Sequence, residues 1–154
     1  MSTFIGDYDC KVDDKGRVLF PSSLRKQINS ASPDRFVVKK DIYEDCLVLY
    51  LTEEWDRQTQ IIRKNTNPYN RNHNQFIREF FRGTAEVTLD SNGRLLLPRK
   101  LLDLTGISKD VVLAGMNGKI EIWAKNKYES GQMDSEAFAN LAEEILGSTT
   151  LNDE

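Results

Sequence analysis

The chain writes one ten-residue phrase nearly twice, as VDDKGRVLFP at 12–21 and LDSNGRLLLP at 89–98. This duplication constrains the fold more than any other feature, because whatever local structure one copy builds, the other builds too. In each copy an Asp precedes a Gly by three residues, Asp13 with Gly16 and Asp90 with Gly93. An Asp at the first position of a tight turn accepts hydrogen bonds from the amides that follow it, and a Gly at the fourth takes positive φ without a Cβ clash. A type I turn closed by a Gly bulge fits both copies and predicts a hairpin. On the incoming strands Tyr8, Cys10 and Val12 share one face, as Ala85, Val87 and Leu89 do. Asp9, Lys11, Glu86 and Thr88 take the other. Arg17 and Arg94 follow the turns, where a hairpin tip leaves a side chain exposed.

The correspondence runs past the turns. Pro21 and Pro98 suit the first turn of a short helix, carried by SSLRKQI (22–28) and RKLLDLTGI (99–107). FVVKK (36–40) then matches VVLAG (111–115), and CLVLYL (46–51) matches KIEIWA (119–124), before each copy steps into a helix at TEEW or KNKY. One copy alone leaves the apolar faces of its strands uncovered, whereas two copies cover each other and leave fewer unpaired edges. The expected fold is α+β: a pseudo-twofold β-barrel or sandwich core assembled from both repeats, with connecting and C-terminal helices. The 154 residues are expected to form a single domain, 1–154. Repeat 1 spans about 4–56, connecting helices about 53–82, repeat 2 about 83–129 and a C-terminal helix about 134–147.

Thr52 is a candidate cap for a helix over 53–64, and Asn67 with Pro68 opens a second over 68–82 that ends before Gly83. Phe76, Ile77, Phe80 and Phe81 form an apolar stripe on the second and are expected to be core. The last helix puts Phe138, Leu141, Ala142, Ile145 and Leu146 on one side, a face able to pack on its own core or on a neighbouring subunit. An acidic tail, TTLNDE, follows.

Composition narrows the function. No apolar run approaches the ~18 residues of a membrane helix, and MSTFIGDYDC lacks the basic and apolar regions of a secretory leader. Cys10 and Cys46 are isolated and are expected to be buried free thiols. The lone His73 has no neighbouring ligand for a metal, and is expected on the surface. No GxSxG elbow or Gly-rich phosphate loop is present. Asp13 and Asp90 are already accounted for by their turns. We therefore expect no enzyme, no metal, no cofactor and no small-molecule substrate.

Net charge is −3, but unevenly spread: residues 1–40 carry 8 basic and 5 acidic side chains, and 57–83 carry 6 and 1, whereas 41–56 and 130–154 each carry 6 acidic and none basic. An acidic chain can thus hold a basic face. The turns offer Lys15, Arg17, Asn92 and Arg94. Arg donates two parallel hydrogen bonds to guanine O6 and N7, and Asn pairs similarly with adenine. Lys11, Arg25, Lys26, Arg99 and Lys100 stand near enough in sequence to neutralise phosphates. Two readings stay open on the residues alone: DNA-reading tips, or stable hairpins in which each Arg pairs with its own Asp. RNA recognition by stacking needs exposed aromatics, which neither turn supplies.

Two DxxGR motifs, each followed by an apolar triplet and Pro and set 77 residues apart, resemble the MraZ family of bacterial transcriptional regulators. Phe4, Gly6 and DDKGRVLFPSSLR resemble the family's first motif, and DSNGRLLLP its second, with Asn92 where the first copy has Lys15. The resemblance implies tandem AbrB-like swapped-hairpin repeats and a ring-shaped homo-oligomer. It also implies double-stranded DNA as partner, with G-rich direct repeats upstream of the division and cell-wall gene cluster bound and mostly repressed. A cytoplasmic, nucleoid-associated protein follows from that. The alternative is a ring-forming protein-interaction scaffold without specific DNA binding.

Overall fold

A computed structural model describes residues 2–148, so the TTLNDE tail lies outside the described residues. Repeat 1 supplies β1 (Asp7–Lys11), β2 (Arg17–Leu19), α1 (Ser22–Arg25), β3 (Arg35–Lys40) and β4 (Leu47–Leu51). Two connecting helices follow, α2 (Thr52–Asn65) and α3 (Arg71–Phe81). Repeat 2 supplies β5 (Ala85–Thr88), β6 (Arg94–Leu96), α4 (Arg99–Leu104), β7 (Asp110–Met116) and β8 (Lys119–Ala124). The chain continues through α5 (Lys125–Ser130) and α6 (Ser135–Leu146). The fold is α+β, and the element order expected for each copy is the order observed.

The strand pairing is not that of two separate hairpins. After each tight turn the arms part: Val12 and Val18 make a single bridge, and then β1 pairs with β7 while β2 pairs with β6. Likewise β5 pairs with β3. Each repeat therefore lends its first strand to the other repeat's β-hairpin. The resulting antiparallel sheet runs β1-β7-β8-β4-β3-β5, an order that reads the same from either end when the repeats are exchanged. A separate two-stranded sheet holds β2 and β6. The expected closed barrel is not what the pairing shows. β1 and β5 end an open six-stranded order, because the strands that follow them leave for the β2–β6 ribbon.

Side chains from both copies fill one apolar cluster: Val18, Leu24, Phe36, Leu47 and Leu49 from the first meet Leu95, Leu101, Leu102, Leu113, Ile120 and Ile122 from the second. Alternation along β1 and β5 falls as expected, with Val12, Val87 and Leu89 buried and Asp9, Lys11, Glu86 and Thr88 exposed. On one sheet face, α2 and α3 meet through Trp55, which contacts the rings of Tyr50, Phe80 and Phe81. Lys39 is buried beneath, its ammonium 4.3 Å from the centre of the Phe80 ring. Desolvation holds its pKa below the ordinary lysine value.

Several local expectations are corrected. α3 starts at Arg71, where Asn70 accepts from the amides of Asn72 and His73; Asn67 and Pro68 form the turn before it. Thr52 makes no cap bond. His73 is half-buried rather than exposed, its Nδ1 accepting from the Asn67 amide at 2.9 Å. The α3 stripe is only partly core: Phe80 is buried, whereas Phe76 and Phe81 stay 42% and 37% exposed. Cys46 is buried and Cys10 half-buried, both free, and burial pushes the Cys10 thiol up to about 11.

Candidate nucleic-acid interface

Both turns close as their sequences require. The Gly16 amide donates to the Asp13 carbonyl and the Asp13 amide to the Arg17 carbonyl, each at 2.9 Å. Gly93, Asp90 and Arg94 repeat the pattern at the same lengths. Gly16 sits at φ +89° and Gly93 at φ +76°, the left-handed region where a Cβ is strained.

One carboxylate organises each turn. Asp13 Oδ1 accepts from the amides of Lys15 (3.0 Å) and Arg17 (2.8 Å), while Oδ2 accepts from Arg17 Nε at 2.8 Å. Asp90 accepts from the amides of Asn92 and Arg94 (both 2.9 Å) and from Arg94 Nε at 3.0 Å. The Arg17 amide, then its guanidinium and the Lys15 amide, hold Asp13 below the usual carboxylate pKa. For Asp90 the amides of Arg94 and Asn92 lead, and the Arg94 guanidinium adds to them. The arginines are thus not free tips: their side chains are 31% and 30% exposed and tethered by Nε. Among the described residues neither guanidinium's terminal amino groups donate a hydrogen bond. The tether fixes the fork's direction and leaves its two outer amino groups available, an arrangement suited to a planar two-acceptor partner.

The ribbon joins the two turns, one at each end. β2 and β6 run antiparallel with Arg17 opposite Leu96, Val18 opposite Leu95 and Leu19 opposite Arg94. The Phe20 amide donates to the Gly93 carbonyl and the Leu97 amide to the Gly16 carbonyl, extending the ribbon into each turn. Val18 and Leu95, both 0% exposed, anchor one face in the core, so Arg17 and Arg94 share the other. Lys15 and Asn92 are exposed at the two tips.

The secondary candidates divide. Arg99 crosses to the other repeat's turn and donates to the Asp14 carbonyl at 3.2 Å. Arg25 crosses the opposite way, its Nη1 3.1 Å from where a Cβ on Gly93 would stand, while its Nη2 pairs with Asp34 at 3.3 Å. Lys26, just past α1, and Lys100, on α4, are exposed. Lys11 lies farther along β1 and is held by Asp110 at 2.7 Å. Sequence reading passed over Leu19 and Leu96 as members of an apolar triplet. They lie on the arginine face, and the only sequence signal for this was the two-residue alternation from Arg17 and Arg94. Among the described residues, no cluster of His, Cys, Asp and Glu is arranged to hold a metal, and no helix is long and apolar enough to cross a membrane.

Comparison with known proteins agrees with the internal repeat. The family model for MraZ protein, described as antitoxin-like, matches residues 3–75 and again residues 80–148. A transcriptional regulator MraZ of Bacteroides fragilis is 41% identical over 146 residues, covering 95% of this chain and 92% of its own. The protein of the same name from Christiangramia forsetii is 44% identical over 151 residues, covering 96% and 95%. That from Flavobacterium psychrophilum is 43% identical over 148 residues, covering 96% and 94%. With both halves of the chain matched and relatives similar along nearly their whole lengths, the chain belongs to the MraZ family.

Proposed function

We propose that this protein is a sequence-specific DNA-binding transcription regulator. It reads G-rich direct repeats through Arg17 and Arg94, with Lys15 and Asn92 beside them, and represses the genes downstream. The observation that carries the reading is the ribbon face, which two guanidinium forks, each aimed by its own Asp, share on the diagonal. A major groove admits a two-stranded ribbon, and a bidentate Arg–guanine contact contributes about 1–3 kcal/mol of discrimination. Arg25, Lys26, Arg99 and Lys100 supply phosphate contacts around it.

The palindromic strand order supports reading the chain as one domain of two AbrB-like swapped-hairpin repeats. The names of the relatives, all transcriptional regulators, support the function class. The subunits assemble into a ring, with α6 as the element that joins them, so that several ribbons meet successive repeats and effective concentration raises affinity. Such a protein works in the cytoplasm at the nucleoid and needs no cofactor.

One observation favours a second reading, a ring-forming interaction scaffold for which DNA is incidental: each Arg is already satisfied in part by its own Asp. Fluorescence anisotropy separates the two, comparing wild type with the Arg17→Ala, Arg94→Ala double variant on a duplex of spaced G-rich repeats and on a scrambled duplex. A reader binds the repeats in preference, with log K falling by about 0.9 per phosphate contact against log salt, and the variant loses the preference while keeping its oligomeric size. A scaffold shows no saturable, sequence-dependent binding.

A further inference from the structure

The outer face of the β2–β6 ribbon is half apolar. Leu19 and Leu96 are 61% and 57% exposed and lie directly across from Arg94 and Arg17, so the face is a two-by-two array of alternating Arg and Leu. Single exposed leucines are ordinary. Here both copies place one at the same position, on the arginine side of a ribbon whose other side is fully buried. Each also lies close to the opposite turn: a Cβ on Gly93 would stand 3.9 Å from Leu19 Cδ1, and one on Gly16 3.8 Å from Leu96 Cδ1. Each Leu therefore lies beside the turn that carries the neighbouring Arg.

A second copy of the chain is a poor cover for this face. Face-to-face pairing would bring four guanidinium groups into one interface, and like charges held close together repel. A DNA major groove offers the reverse combination of anionic walls and, on the edge of each A·T pair, the thymine C5-methyl. Resting on the DNA-binding reading above, we propose that Leu19 and Leu96 are specificity-determining residues that contact thymine methyl groups next to the guanines taken by Arg94 and Arg17. Opposed side chains on a ribbon are about 4.5–5.5 Å apart at Cβ, and successive bases rise about 3.4 Å, so one Arg–Leu pair spans one base step. Each half of the ribbon then selects a guanine–thymine neighbourhood rather than guanine alone.

The test begins with selection of duplexes from a random-sequence pool by the wild-type protein. The best-bound duplex is then remade with deoxyuridine at each thymine of the bound segment, which removes the methyl and leaves the hydrogen-bonding edge intact. The expected result is an affinity about fourfold lower for each contacted methyl removed. The Leu19→Ala, Leu96→Ala variant keeps its fold, because neither side chain is buried, and its preference for guanine, but binds the two duplexes equally. Equal binding of both duplexes by wild type overturns the proposal, as does a variant that keeps the wild-type ratio between them. If the wild type enriches no sequence at all, the DNA-binding reading itself fails, a result distinguishable from failure of the leucine assignment.

Discussion

The carboxylates of Asp13 and Asp90 each accept three hydrogen bonds, two from amides that shape the turn and one from the guanidinium that the turn presents. Turn geometry and arginine aim therefore share one side chain but different oxygens. Changing Asp13 and Asp90 to Asn keeps the oxygen that accepts the amides and replaces the other with an NH2 group, which cannot accept from Nε. We expect Asp13→Asn and Asp90→Asn, each made alone, to keep wild-type far-UV dichroism while binding the G-rich duplex about tenfold more weakly, the effect of relaxing one bidentate contact. Unchanged affinity in anisotropy would show that the tether serves only the turn. The same bonds lower both carboxyl pKa values in the folded state. Their stabilising contribution is thus present at neutral pH and is lost as pH falls through the lowered values, below the 3.8 of an unperturbed Asp. Carboxyl NMR titration should place both midpoints under 3.8, and Arg17→Ala should move that of Asp13 back upward.

The turns and strands were legible in the sequence because their causes are local: an Asp and a Gly three apart, and apolar residues two apart. A swap was implied by the family resemblance, but that β1 and β5 are the strands exchanged was not legible, since an alternating strand fits either its own hairpin partner or the other repeat's. Nor was the start of α3, where Asn67 and Asn70 are both capping types and only packing chooses between them. Gly16 shows how tightly the ribbon element is built. Beyond its positive φ, a Cβ there would lie 2.9 Å from the Leu97 carbonyl oxygen. Gly16→Ala should cost about 1–2 kcal/mol from backbone handedness before that clash is counted, read from urea unfolding. Leu95→Ala, which empties the buried side of the same ribbon, should cost about 2–5 kcal/mol. The stripe on α6 reads alike whether packed or open, and the structure leaves Phe138, Leu141, Ile145 and Leu146 exposed. On the proposal that α6 joins the subunits, changing Phe138 and Leu141 to Asp should lower the mass in light scattering without altering the dichroism, because neither residue is buried.

At the scale of the molecule, strand exchange makes the two repeats depend on each other. β7 covers β1, β5 is covered by β3, and the apolar cluster draws on both copies. Cutting the chain between α2 and α3 should give halves that do not fold as monomers alone and regain native dichroism when mixed. The same dependence holds the two turns at the ends of one ribbon, so that Arg17 and Arg94 share one face of it. The central claim, that these forks read guanine from the major groove, is tested most directly with 7-deazaguanine, which lacks the N7 acceptor and keeps Watson–Crick pairing. We expect wild type to bind a G-rich repeat duplex about tenfold more weakly once its guanines are so replaced. The Arg17→Ala, Arg94→Ala variant should bind the two duplexes equally. Wild-type binding that ignores the substitution would contradict guanine reading by the ribbon.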